Sequence, residues 1–488
     1  MNILRDLEPS SVFGYFEEIC SIPHGSRDTK RISDYLAGFA AEHDLSYVQD
    51  EYNNIIIRKP GSTGREGEKP VILQGHMDMV CEKEPDCDID FSTDGLRLKV
   101  ENGMITADGT TLGGDDGIAV AYALAILASD TISHPPIEAV ITVDEEIGML
   151  GAAALDMSVL EGRRLLNIDS EDEGHLLVSC AGGVTASVNL PVESGNMDAL
   201  YNDPVFIKLS VTGLMGGHSG VEIDKGRANS NVLLGRALYD ISRSTAFNLK
   251  SVSGGLKDNA IPRMSEAVLV TDRTSIAAIK AVCEDLTAKL NAEYSLTDPD
   301  ILISIEETPS NEALPTAMTE ESGKRVITAL YNMPSGIQSM SFSLPGLVET
   351  SLNMGILFTE DSKVVMSYSV RSSVGSRKDE LVNRLGCLAE ALGGNVTTEG
   401  DYPAWEYLEN SPLREAMISV YEDMYKKKPV VESIHAGVEC GLFADGLPGL
   451  DAVSFGPDIH DIHTPKEALD IESVKRTWEY LLKVLETI

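Results

Sequence analysis

Two apolar runs in this chain stop abruptly on residues that bind metals. Val71-Ile72-Leu73-Gln74-Gly75 leads into His76-Met77-Asp78, and Ala139-Val140-Ile141-Thr142-Val143 leads into Asp144-Glu145-Glu146-Ile147-Gly148. Short apolar runs bounded by glycine and polar residues read as buried strands. Strands buried on both faces belong to mainly parallel sheets, which collect ligands outside their carboxyl ends. The chain is thereby constrained to an α/β core with a histidine and several carboxylates along one edge. Between the two runs lies Gly113-Gly114-Asp115-Asp116-Gly117, followed by an apolar helical stretch to Ser129. A further strand, Leu165–Ile168, runs out into Asp169-Ser170-Glu171-Asp172-Glu173. Such a gathering suggests a hydrolytic metal centre, with one ion or two.

Helices at 11–20, 28–43 and 117–129 alternate with strands at 54–58, 71–74, 138–143 and 165–168, which predicts a mainly parallel sheet covered by helices. After about residue 185 the pattern changes. Val205–Thr212 alternates as a half-exposed strand and precedes Gly213-Leu214-Met215-Gly216-Gly217-His218-Ser219-Gly220. Strands at 266–271, 301–306, 351–359 and 363–371 mix with helices at 228–242, 275–294 and 378–392. That reads as an inserted α+β domain with antiparallel strands, built from two ferredoxin-like halves. The α/β pattern returns with helix 413–425, strand 430–434 and helix 471–485. The expected organisation is therefore a catalytic domain at 1–185 and 397–488, interrupted by an insertion at 186–396.

Composition removes several function classes. The formal charge is −38, from 39 basic and 77 acidic residues, which disfavours nucleic acid and anionic membranes as partners. The start carries no basic segment followed by an apolar core, so no signal peptide is expected. Seven scattered cysteines without CxxC spacing argue for a reducing compartment and against a zinc ribbon. A cytoplasmic location is the expectation. Asp86, Asp88 and Asp90 imitate a calcium loop, but its required Gly and Glu positions hold Phe91 and Arg97.

Each candidate has a plainer reading beside it. His76 and Asp78 lie two apart, so in extended chain both face one way, one binding metal and the other bonding the ring. A lone His-x-Asp is common, and its place at a strand end next to Gly75 is what gives it weight. Asp115 and Asp116 suit an ordinary helix start as well as a shared ligand. Glu145 and Glu146 project differently, so that one is free to bind metal while the other faces an attacking water. His435, in Ile434-His435-Ala436-Gly437, and His463, in Asp461-Ile462-His463-Thr464-Pro465, sit in loops rather than on apolar faces.

Taken together, Gly75 to Val80, Gly114 to Gly117, Asp144 to Gly148, Asn167 to Glu171 and Asp461 to Pro465 resemble the di-zinc aminopeptidase/aminoacylase clan, and within it the aminoacyl-histidine dipeptidase branch. Thr110 to Gly113, Gly216 to Gly220, Asn259 to Arg263 and His435 to Gly437 extend the resemblance over nearly the whole chain. The resemblance implies two zinc ions per chain, with cobalt or manganese as substitutes. His76 and Asp169 would hold one, Glu146 and His463 the other, and Asp115 would bridge. Glu145 would be the general base and Asp78 would orient His76. His218 and Asn259 would steady the oxyanion or substrate, in some relatives from a partner subunit. Arg371, His435 and Gly437 would recognise a free carboxylate. Asp116 departs from the branch, where Asn is usual, though Asp is common in the wider clan. The implied activity is hydrolysis of Xaa-His and other unblocked dipeptides by a homodimer joined through the inserted domain, which also serves as a lid. An N-acyl-amino-acid deacylase using the same metals, or a metal-binding protein without turnover, are the alternatives.

Overall fold

The computed structural model describes residues 3–197, 200–308 and 316–488. They form two compact units, one made of Met1–Cys180, Tyr407–Ser433 and Val438–Ile488, the other of Ala181–Glu406 with Ile434–Gly437.

The first unit is organised by an eight-stranded sheet of β1 (Ser46–Gln49), β2 (Ile55–Lys59), β3 (Val71–His76), β4 (Ile137–Thr142), β5 (Arg164–Asn167), β6 (His175–Cys180), β7 (Val430–Ile434) and β8 (Asp451–Ser454). Its order is β1-β2-β4-β3-β5-β8-β6-β7. The four central strands, β4, β3, β5 and β8, run parallel. Strands β1, β2 and β6 pair antiparallel beside them. Of these four, β3, β4 and β5 were legible in the sequence as apolar runs, whereas β8, with only Ala452 and Val453 apolar, was missed. All six residues of both β3 and β4 are buried.

Helix α1 (Gly114–Ala128) packs along β3, and thirteen of its fifteen residues are buried. A helix apolar on every side belongs in an interior. Its Ile118, Leu124, Ile126 and Leu127 are each at most 2% exposed, and full burial of such a side chain contributes about 1.5–3 kcal/mol. The close approach of helix to strand requires Gly75, where a Cβ would lie 2.5 Å from Asp116 Oδ2 and 2.8 Å from the Ala119 methyl. A four-stranded antiparallel sheet, in the order 459–460, 468–470, 104–107, 98–101, completes this unit and was not evident from the sequence. Its strands are too short for a periodic signal, and it anchors the loop that carries His463.

The second unit has its own core around a nine-stranded sheet whose mapped pairings are antiparallel. Strands 204–212, 248–254, 265–272 and 302–308 with helices 230–242 and 276–293 make one βαββαβ module, in spatial order 4-1-3-2. Strands 182–191, 348–359, 363–372 and 395–402 with helices 320–332 and 375–391 repeat that order. The first module is spliced into the second after its opening strand, and the two join where 253–254 pairs with 357–358. The sequence reading missed helix Glu320–Asn332 and strands 182–191, 248–254, 336–340 and 395–402. In 395–402 most side chains face solvent, so no apolar period marks it.

Candidate metal centre

Three parallel strands bring their candidate site residues to one place. His76 closes β3, Glu145 and Glu146 follow β4, and Asp169 follows β5. Asp144 takes a left-handed backbone (φ 54°), a conformation Asp tolerates better than most residues. That turn points the Glu145 amide at Asp78, whose Oδ1 accepts its hydrogen at 3.0 Å. Asp115 enters from the start of α1, where the Asp115–Asp116 peptide is cis. His463 arrives from the loop after strand 459–460, also with a left-handed backbone (φ 58°).

Asp115 divides its carboxylate between the two histidines. Its Oδ1 lies 3.1 Å from His76 Nε2 and its Oδ2 lies 3.2 Å from His463 Nε2. Each histidine nitrogen also faces a second carboxylate, His76 that of Asp169 at 3.7 Å and His463 that of Glu146 at 2.9 Å. On the other side of its ring, His76 Nδ1 lies 2.9 Å from the Asp78 carbonyl and 3.5 Å from its Oδ1. Asp78 in turn accepts from the Ser26 hydroxyl at 2.8 Å, so the carboxylate that faces the ring is itself held.

The charges in this cluster are strongly displaced. Burial works against a charged His76, but Asp115, Asp169 and Asp78 hold it well above the usual histidine range. Asp115 stays low although buried, because His463 and His76 both favour its anion. Burial raises Asp169 to about 6, against the pull of His76 and with Asp115 and Glu146 adding. Glu145 is pushed well above the carboxylate range, first by burial and then by Asp169, Glu439 and Glu146, with His76 opposing. His463 rises to about 10 beside Asp115 and Glu146. Glu171 is lifted to about 7 by burial and by Asp115 and Asp169.

The residues present fit divalent ions. The donors are imidazole nitrogen and carboxylate oxygen, the set zinc takes in catalytic sites. Ligand atoms of His76, Asp115 and Glu146 lie within 4.8 Å of one another, as do those of His76, Asp116 and Asp169. Glu146 Oε1 is buried without a hydrogen-bond partner among the described residues. Asp116, which the family resemblance left without a role in the centre, is in the second group. Its Oδ2 accepts from the His76 amide at 3.1 Å, and burial pushes its carboxyl well up.

Sequence reasoning also missed what lies beneath. Glu439, fully buried, accepts hydrogens from Gln74 of β3 and from the Thr142 hydroxyl of β4 (2.7 Å). Gln74 Oε1 accepts from Asn167 of β5 at 2.5 Å. One polar chain thus ties three strands together just before each reaches a candidate ligand. Its signal was present: polar Gln74 and Asn167 interrupt apolar runs, two residues ahead of His76 and Asp169.

The remaining candidates lie in the second unit. His218 Nδ1 accepts from the amides of Gly220 (3.1 Å) and Val221 (3.2 Å), which leaves its Nε2 as the protonated nitrogen of a neutral ring. Strand pairing sets His218 opposite Ala260, and the Asn259 carbonyl accepts from the Ser219 amide at 2.8 Å. Asn353 Nδ2 donates to the carbonyls of Asp258 and Ala260, both at 2.9 Å, and so clamps the turn around Asn259. Arg371 Nη1 donates to Tyr402 at 3.1 Å. His435 Nε2 is 2.7 Å from Ser351 Oγ; burial and the Arg371 charge lower it to about 3. Burial and Arg371 lower His218 as well. His218, Arg371 and His435 are therefore close enough to share a field, with Gly437 two residues beyond His435.

A helix-covered sheet with parallel centre and a histidine–carboxylate cluster at its strand ends defines a metallohydrolase of the α/β class. The chain belongs to the peptidase family M20/M25/M40, whose model matches residues 72–487. It is 36% identical over 488 residues to the cytosol non-specific dipeptidase of Escherichia coli, covering 100% of this chain and 99% of that one. The aminoacylhistidine dipeptidase structure from Vibrio alginolyticus matches at TM-score 0.93 and 36% identity, over 99% of this chain and 98% of the other. The aminopeptidase PepT structure from Bacillus cereus shares the fold at TM-score 0.56 and 16% identity, over 99% of each chain. These likenesses bear out the α/β fold with its inserted α+β domain and the resemblance on which the sequence reading rested. Membership of this metallopeptidase family entails use of a divalent metal. Among the described residues, no helix is long and apolar enough to cross a membrane.

Proposed function

We propose that this protein is a metal-dependent dipeptidase that hydrolyses unblocked dipeptides, Xaa-His among them. The observation that carries this reading is the Asp115 carboxylate shared between His76 and His463, each with a second carboxylate of its own. Likeness over the whole chain to two dipeptidases supports the substrate class. On this reading His76 and Asp169 would hold one ion and Glu146 and His463 the other, with Asp115 as a ligand common to both sets. Zinc suits the donors, with cobalt or manganese as substitutes. Ions bound there would polarise the peptide carbonyl and ease deprotonation of water.

The chain's own groups do the rest. Glu145 takes the proton of the attacking water and passes it to the leaving amine, a task helped by the burial that raises its carboxyl above the ordinary range. Asp78 keeps the His76 ring oriented and, through the Glu145 amide, fixes the base relative to that ring. The Nε2 hydrogen of His218 is available to an oxyanion, with Asn259 beside it in the paired turn. Arg371, with His435 and Gly437, is assigned to the free carboxylate, which a guanidinium can grip with two bonds. A cytoplasmic location and a homodimer joined through the second unit complete the proposal.

A panel of free dipeptides against N-acetyl amino acids tests the substrate class. Turnover of the dipeptides is expected to exceed that of the acetylated compounds at least tenfold in kcat/KM. Preference for the acetylated compounds would move the assignment to a deacylase.

A further inference from the structure

Glu467 is only 3% exposed, yet no apolar or catalytic reason accounts for a carboxylate there. Its Oε2 accepts from the amides of Leu112 (2.8 Å) and Gly113 (3.1 Å). Its Oε1 accepts from the amides of Gly114 (2.7 Å) and Asp115 (3.4 Å). Four consecutive backbone donors thus curl around one side chain, a turn made possible by the left-handed Gly113 (φ 67°). The same residue closes the other loop. Its amide donates to the Thr464 carbonyl at 3.1 Å, one residue beyond His463. Strand Ala468–Asp470 then pairs with Met104–Ala107 and holds that loop in place.

The placement is electrostatically expensive. A buried carboxylate beside Asp115 suffers desolvation and like-charge repulsion, and only charge-assisted hydrogen bonds keep it there. A neutral side chain could cap these amides without that cost. What the carboxylate adds is stiffness between two specific loops, one carrying Asp115 and the other His463.

We propose that Glu467 is a positioning residue for the metal centre, fixing the Asp115 backbone relative to His463 so that one carboxylate serves both histidines. The inference rests on the reading that Asp115 and His463 hold metal. It predicts that Glu467→Gln, which turns an amide group towards two of the four donors, loosens ion binding in a chain that remains folded.

The test compares wild type, E467Q and V474A in the full chain. Val474 is a buried residue of the closing helix with no assigned part in the centre, so V474A reports lost stability alone. Affinity for zinc is read by chelator competition, and ligand geometry by the visible spectrum of the cobalt-loaded protein, both at a temperature where circular dichroism shows all three folded. E467Q is expected to lose at least tenfold in affinity for one ion and to change the cobalt spectrum. V474A, compared at matched distance from its own unfolding temperature, should change neither. Wild-type affinity and spectrum in E467Q, or equal losses in V474A, would overturn the proposal. If E467Q does not fold, E467D keeps the charge, shortens the reach and carries the same comparison. Failure of the wild type to bind any ion would instead overturn the metal assignment beneath it.

Discussion

Replacing Glu145 with glutamine is expected to abolish hydrolysis while the protein keeps its metal, with kcat falling by about 10²–10⁴, the usual contribution of a positioned base. The amide has nearly the same shape, and the Glu145 backbone hydrogen bond to Asp78 does not depend on the side chain. No metal ligand is removed, so bound metal and fold should match the wild type. Steady-state assays beside metal analysis check this, and substantial activity in E145Q would remove Glu145 from the role of base. A second readout separates catalysis from structure. Burial and neighbouring carboxylates raise Glu145 well above its ordinary range. A raised carboxyl contributes stability that is fully present below its unfolded pKa and lost as pH rises through the folded one. Metal-free E145Q, lacking that titration, should therefore be at least as stable as metal-free wild type at pH 8, and its advantage should shrink on acidification.

Asp115→Asn is expected to have the largest effect on metal binding. The wild-type carboxylate offers one oxygen to each histidine nitrogen, and asparagine keeps one oxygen and presents an NH2 group in place of the other. Loss of one or two charge-assisted contacts at about 1.5–3 kcal/mol each corresponds to roughly 10–10⁴ in affinity. Hydrolysis should fall below detection at metal concentrations that saturate the wild type. Competition with a graded series of chelators measures the loss, and an unchanged affinity would mean that Asp115 is not the shared ligand.

Much of this protein was readable before its fold was known, and the reason is physical. Strands β3, β4 and β5 are buried on both faces, so their apolar runs end sharply where the chain meets polar chemistry. The centre grows from those endings, and His76, Glu145, Glu146 and Asp169 stood out for that reason. His463 was harder, because its loop is held by two short strands, 459–460 and 468–470, with no periodicity to announce them. Glu439 and Glu467 were invisible for a different reason. A single acid in a loop looks solvated until the backbone amides or strand side chains it serves are brought to it from far along the chain. In the second unit, helix Glu320–Asn332 had a legible start, with Thr319 accepting from the Ser322 amide ahead of two first-turn acids. Its omission was a failure to weigh a cap signal, whereas strand 395–402 offers mostly exposed side chains and little to read.

The central claim is that a metal-loaded cluster built on Asp115 hydrolyses dipeptides. It is tested most directly by stripping the protein with chelator and adding zinc back in measured equivalents while Xaa-His hydrolysis is followed. The stripped protein should be inactive, and activity should climb to a plateau at about two equivalents per chain, as two ions sharing one carboxylate require. Undiminished dipeptide turnover in the stripped protein would contradict the account.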